Sequence, residues 1–137
     1  GPRQGLINRL CTAAATREAL QIYVPLDTVR DYIYVSDAAR LLLLEIDLAQ
    51  NSEASPSISL IGSGENSSIG TVINTVSHVS HRKIPVTMAQ GKVTQLQPRD
   101  LRIQPSWIER EISFEPTTLS QGVKKLFDSL VTVPRWN

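Results

Sequence analysis

The sequence has 137 residues, 41% of them apolar and 20% charged, with 14 basic against 13 acidic side chains and a net charge of +1. Its single cysteine, Cys11, can close no internal disulfide and supports no cysteine-based metal site, which excludes disulfide scaffolds and zinc fingers and predicts a reduced, cytoplasmic setting. No cationic run exceeds Arg82-Lys83 or Lys124-Lys125, and no apolar run exceeds Leu41 to Leu44, so neither a nucleic-acid partner nor a membrane is expected of what reads as one soluble domain.

Between Leu6 and Leu20 the residues Leu6, Ile7, Leu10, Ala13, Ala14 and Ala15 recur at helical spacing, predicting a closely packed helix. Leu20 to Val24 reads as a short strand cut off by Pro25, and Asp31 to Val35 has the β-branched and aromatic composition of another. Ser36 is the expected N-cap of a helix from Asp37 to about Ala49, with Asp37 complementing the helix dipole. That helix is apolar around most of its circumference and needs cover on more than one side. A strand from Ser57 to Ile61 then leads into the turn Gly62-Ser63-Gly64-Glu65-Asn66. The clearest amphipathic helix starts near Ser67 or Ser68, with Ile69, Val72, Ile73, Val76 and Val79 on one stripe. Ile84 to Met88 is extended, and Ala89 to Asp100 has no sustained period, suggesting a functional loop. Two capping boxes, Ser106 with Glu109 and Thr118 with Gln121, predict a short helix and a final amphipathic one. The alternation of helices and strands argues for an α/β protein.

Ile61-Gly62-Ser63-Gly64, after a strand and before a helix, invites a dinucleotide-binding reading, but the third glycine position is Ser67. A turn requiring glycine for positive φ is the preferred alternative. Tyr34 has Ala38, not lysine, four residues on, so no tyrosine-lysine proton-transfer pair is present there. His78 and His81 lack a third metal ligand and read as helix-end residues, and Cys11 reads as a packed side chain rather than a nucleophile. The polar features that stand out are Arg30-Asp31 and the stretch Gln97-Pro98-Arg99-Asp100-Leu101-Arg102. Arginine forks suit a diphosphate and aspartate can accept from ribose hydroxyls, and surface ion pairing accounts for these residues equally well.

Gly1-Pro2-Arg3-Gln4, Leu20 to Tyr23, Val29 to Ala39, Ile61 to Glu65 with Ser68-Ile69, Pro98-Arg99-Asp100 and Phe114 to Val123 together resemble the second half of the extended short-chain dehydrogenase/reductases, the NAD-dependent nucleotide-sugar epimerases and dehydratases. The string from Arg30 to Ala39 is the most specific part. The resemblance implies the last Rossmann-type strands and helices plus a small mixed α/β substrate-binding subdomain, spanning residues 1–137. It implies that Leu20, Gln21, Ile22 and Tyr23 lie beside a nucleotide base, that Arg30 contacts the diphosphate of a nucleoside-diphosphate sugar, and that Asp100 holds a ribose hydroxyl. Gln97 stands where the family has a second phosphate-binding arginine, Arg99 where it has a glycine, and Val24-Pro25-Leu26 replaces a polar, glycine-containing turn. Arg99 or Arg102 is the candidate substitute.

The resemblance further implies NAD in the intact parent protein, with the glycine-rich cofactor loop and the catalytic serine, tyrosine and lysine lying before Gly1. The chain is therefore expected to bind no cofactor, to be inactive alone, and to self-associate through the surface its missing half would cover. The alternative is a non-catalytic binding or assembly module of the same fold that has lost the nucleotide site.

Overall fold

The computed structural model describes residues 5–52, 58–89 and 98–132. In chain order they form α1 (Leu6–Thr16), β1 (Leu20–Ile22), β2 (Val29–Asp31), α2 (Val35–Gln50), β3 (Asn66–Ser68), α3 (Ile69–Ser80), β4 (Val86–Met88), α4 (Ser106–Glu109) and α5 (Leu119–Thr132). This mixed α/β order matches the sequence reading.

The core lies among α1, α3 and α5. The predicted stripe of α3 buries Ile69, Val72 and Val76 against Leu10, Cys11, Ala13 and Ala14 of α1 and Val123 and Phe127 of α5. The small α1 residues permit close helix approach. Leu20, Ile22 and Ile84 extend this core towards β1 and β4, which pair in parallel with Leu20 opposite Val86. Arg82 ties the layers together: its guanidinium donates to the carbonyls of Ala14 (2.7 Å) and Ala15 (2.9 Å) at the end of α1 and lies over the Phe127 ring. Those carbonyls belong to the last turn of a helix, where the backbone leaves acceptors free.

Several boundaries differ from expectation for identifiable reasons. The second strand is Val29–Asp31 rather than Asp31 to Val35, because its antiparallel partner β3 runs only from Ser68, opposite Val29, to Asn66, opposite Asp31. Beyond Asp31 the chain has no ladder partner among the described residues. Ser36 does not cap α2, whose N-cap is Tyr34: the Tyr34 carbonyl accepts from Asp37 and Ala38. Ile58 to Ile61 is not a strand, since both backbone groups of Leu60 bond to Ser106. That bond also takes the Ser106 hydroxyl, so its expected capping box is not made and Pro105 is the N-cap of α4. Thr118 and Gln121 do form theirs, by reciprocal bonds of 3.0 and 3.3 Å. Ser57, and residues 90–97 of the anticipated functional loop, lie outside the described residues.

Helix α2 stands apart from the three-helix core. Only Asp37 and Leu41 are buried, while Val35, Leu42, Leu43 and Ile46 form an exposed apolar stripe at i, i+7, i+8 and i+11. The predicted need for cover on more than one side is thus unmet by the described residues. No helix among them is long and apolar enough to cross a membrane.

The inner side of α2 is anchored by Asp37, whose buried carboxylate accepts from the backbone N–H of Thr117 at 2.6 Å and from Arg40 at 3.4 Å. Burial pushes this carboxyl up, but hydrogen bonds from the Thr117 backbone and side chain, with the charges of Arg40 and Lys125, outweigh it and leave it below its ordinary 3.8. A folded-state value below the unfolded one means that the contribution is complete above the unfolded pKa and is lost as pH falls through the folded value. Urea denaturation at neutral and acidic pH should show Asp37→Asn to be less stable by roughly 1–3 kcal/mol near neutrality, with the deficit shrinking below about pH 4. An equal deficit at every pH would contradict this assignment.

Candidate functional site

Strand β2 carries Arg30 and Asp31 and lies beside the 99–101 segment. Its Arg30 sits opposite Ser67 and its Asp31 opposite Asn66 in the antiparallel pair with β3. The backbone of Val29 bonds instead to the 99–101 segment, its N–H donating to Arg99 O at 2.9 Å and its carbonyl accepting from Leu101 at 3.2 Å, as a parallel bridge to Asp100. Arg30, Arg99, Asp100 and Arg102, distant in sequence, therefore occupy one neighbourhood.

Their side chains are held unequally. Arg99 pairs with Asp27 at 3.1 Å, and Arg102 reaches both carboxylate oxygens of Asp100 at 2.9 and 3.1 Å, all four side chains being exposed. Exposed pairs of this kind are screened by solvent, contribute little and exchange readily. Arg30, half-buried, donates to its neighbour's carbonyl, Val29 O, at 2.7 Å and has no carboxylate partner among the described residues. Tyr32, two residues on, shares its field: burial pushes the phenol up, and the Arg30 charge pulls it partly back.

The remaining nominated residues are placed elsewhere. Leu20 and Ile22 point into the core, so only their backbone remains for a ligand, whereas Gln21 and Tyr23 are exposed and joined by a 2.7 Å bond from the Tyr23 hydroxyl to Gln21 Oε1. Among the described residues no hydrogen bond links Leu20 to Tyr23 with the arginine group. Asp27 and Tyr32 were not singled out from sequence, where nothing local indicates the pairing of one or the field of the other.

The glycine turn is occupied by the protein itself. Asp31 accepts from Ser63 N (2.8 Å), Ser63 Oγ (2.9 Å) and Gly64 N (2.8 Å). The space a Gly62 side chain would need is filled by Ile103, and β3 separates the turn from α3. A dinucleotide phosphate needs such amides free and aimed at a helix N-terminus, so these residues do not fit NAD. Gly64 has φ +80°, which accounts for its glycine.

Other candidates resolve as packing or capping. The Cys11 thiol is buried, which pushes it up to about 11 and keeps it protonated. His81 is the left-handed C-cap of α3, its ring 6.4 Å from that of His78, and the described residues hold no group of three side chains suited to a metal. A mostly apolar cleft of about 350 Å³ runs between Tyr32–Val35 and α5, with the Lys125 ammonium 4.8 Å above the Tyr34 ring. None of the nominated residues lines it.

Gly64→Ala should cost at least roughly 1 kcal/mol, because alanine is strained at this φ and its Cβ would stand 2.7 Å from Ile108 Cδ1. Chemical denaturation measures this; an unchanged midpoint would contradict the turn geometry.

No family model matches the chain and no curated protein matches it significantly. Solved structures do. The chain is 24% identical to UDP-glucose 4-epimerase from Brucella ovis, solved with NAD, over 95% of this chain and 42% of that one, with a TM-score of 0.72. It is 19% identical to UDP-glucose 4-epimerase from Bifidobacterium longum, solved with NAD+ and UDP, over 95% and 40%, with a TM-score of 0.77. It is 20% identical to dTDP-glucose 4,6-dehydratase from Bacillus anthracis, solved with NAD, over 99% and 43%, with a TM-score of 0.71. At these identities the likeness is one of fold. The chain spans about two fifths of those chains' length and shares the fold of the portion it matches.

Proposed function

We propose that this chain supplies the nucleoside-diphosphate-sugar-binding portion of an NAD-dependent epimerase or dehydratase and has no turnover alone. The observation that carries the proposal is the pairing of Val29 with the 99–101 segment, which draws Arg30, Arg99, Asp100 and Arg102 together in a fold shared with UDP-sugar epimerases. Arg30 would take the diphosphate. Arg99 and Arg102 would exchange exposed carboxylates for phosphate oxygens, and Asp100, once free of Arg102, would accept from a ribose hydroxyl. Gln21 and Tyr23 would supply side chains, and Leu20 and Ile22 backbone, beside the base. A reduced, cytoplasmic setting belongs to the same proposal and suits a lone buried thiol.

Titration calorimetry with UDP, GDP and their sugars tests the proposal. Micromolar binding lost by at least roughly tenfold in Arg30→Ala supports it, since one charged hydrogen bond carries about that much. Steady product formation from UDP- or GDP-sugars and NAD would overturn the inactive-alone reading. No binding would favour the second reading, a non-catalytic assembly module, to which the uncovered α2 stripe and the already-paired Arg99 and Arg102 also point.

The α2 stripe bears on partners under either reading. Apolar area removed from water returns roughly 25 cal/mol per Å², and a second copy of this chain offers such cover to a stripe that the described residues leave exposed. Sedimentation velocity should show self-association that is weakened by Leu42→Glu with Leu43→Glu. A monomer at high concentration would contradict this.

A further inference from the structure

We infer that Asp31 is a positioning residue that presents Arg30 to a nucleoside diphosphate, an inference that rests on the binding function proposed above. Strand β2 is three residues long, paired with an equally short β3 and a single bridge at Val29, too little ladder to fix its rotation about its own axis. Successive strand side chains point to opposite faces, so anchoring the side chain of Asp31 fixes where Arg30 emerges. The anchor is strong: a carboxylate receiving two backbone N–H groups and one hydroxyl at 2.8–2.9 Å.

The turn that grips Asp31 is itself fixed from the far side. Trp107 Nε1 donates to Gly62 O at 3.0 Å, and Ser106 bonds to both backbone groups of Leu60. The same turn touches the other arginine-bearing segment, because Ile103, next to Arg102, fills the space left by the missing Gly62 side chain. One turn thus references both segments, with Asp31 as its link to Arg30. Asp31 need not touch the ligand; it acts through the strand.

The test is a double-mutant cycle read by UDP calorimetry, with thermal unfolding measured on every variant. Asp31→Asn keeps the shape but replaces one acceptor oxygen with a donor that cannot receive the Gly64 N–H. We expect UDP affinity to fall roughly tenfold in a protein that still unfolds cooperatively, and the effect of Arg30→Ala to shrink in the Asp31→Asn background, as coupled residues require. A lowered melting temperature with unchanged UDP affinity and an unchanged Arg30→Ala effect would overturn the inference. Should Asp31→Asn fail to fold, Ser63→Ala removes one of the three bonds and should weaken UDP binding in the same direction; unchanged affinity overturns it. Wild-type protein that binds no nucleoside diphosphate overturns the binding function and this inference together, whereas wild-type binding lost only in Arg30→Ala preserves the former and rejects the latter.

Discussion

The structure depends on finding acceptors for backbone N–H groups in a fold whose strands are only three residues long. Ladders this short satisfy few amides, and a buried amide without an acceptor costs about 1–3 kcal/mol. Side chains take over. Asp31 accepts for the Gly62–Gly64 turn, Asp37 for Thr117 ahead of α5, and the Ser106 hydroxyl for Leu60. Each joins segments far apart in sequence, so the polar side chains do much of the tertiary work that longer sheets do elsewhere.

This divides the molecule into two regimes. The α1, α3 and α5 layer is held by apolar contact and reinforced by Arg82, whereas the layer containing β2, β3 and α4 is held by a few directed bonds. Loss of one core contact is spread over many neighbours, but loss of the Asp31 carboxylate removes three of the directed bonds on a single turn. Local opening is therefore expected in the second layer first. Arg30 and Asp100 lie in it, where small rearrangements of Arg99 and Arg102 disturb no apolar core.

Much of the fold was legible because periodicity reports on burial. The α3 stripe, the small-residue face of α1 and the Thr118–Gln121 cap of α5 all follow from local pattern, and all three form. What misled was local composition where tertiary partners decide. Tyr32 to Val35 has strand composition but no partner strand among the described residues, and the predicted strand before Ile61 gives up Leu60's hydrogen bonds to Ser106. Asn66 to Ser68, polar and turn-like, is a strand because Val29 to Asp31 lies beside it. For the site, Arg30 and Asp100 could be nominated as residue types, but their proximity depends on a single bridge at Val29 that no local signal encodes. The glycine turn is instructive in the opposite sense: its spacing suggests a phosphate cradle, and its ligand is an internal carboxylate.

The electrostatics of the arginine group follow from the same economy. A net charge of +1 does not foretell a cationic site, and here two arginines are neutralised by neighbours while Arg30 has no carboxylate partner among the described residues. A diphosphate would meet Arg30 without displacing a carboxylate of the described residues. Its remaining oxygens would then compete with Asp27 for Arg99 and with Asp100 for Arg102, and solvent-screened exposed pairs yield to a multiply charged group. Capture of Arg102 would leave the Asp100 carboxylate free to accept a hydrogen bond. The exposed ion pairs that make the site look like ordinary surface are thus compatible with binding, because each holds a charged group in place at little cost to its exchange.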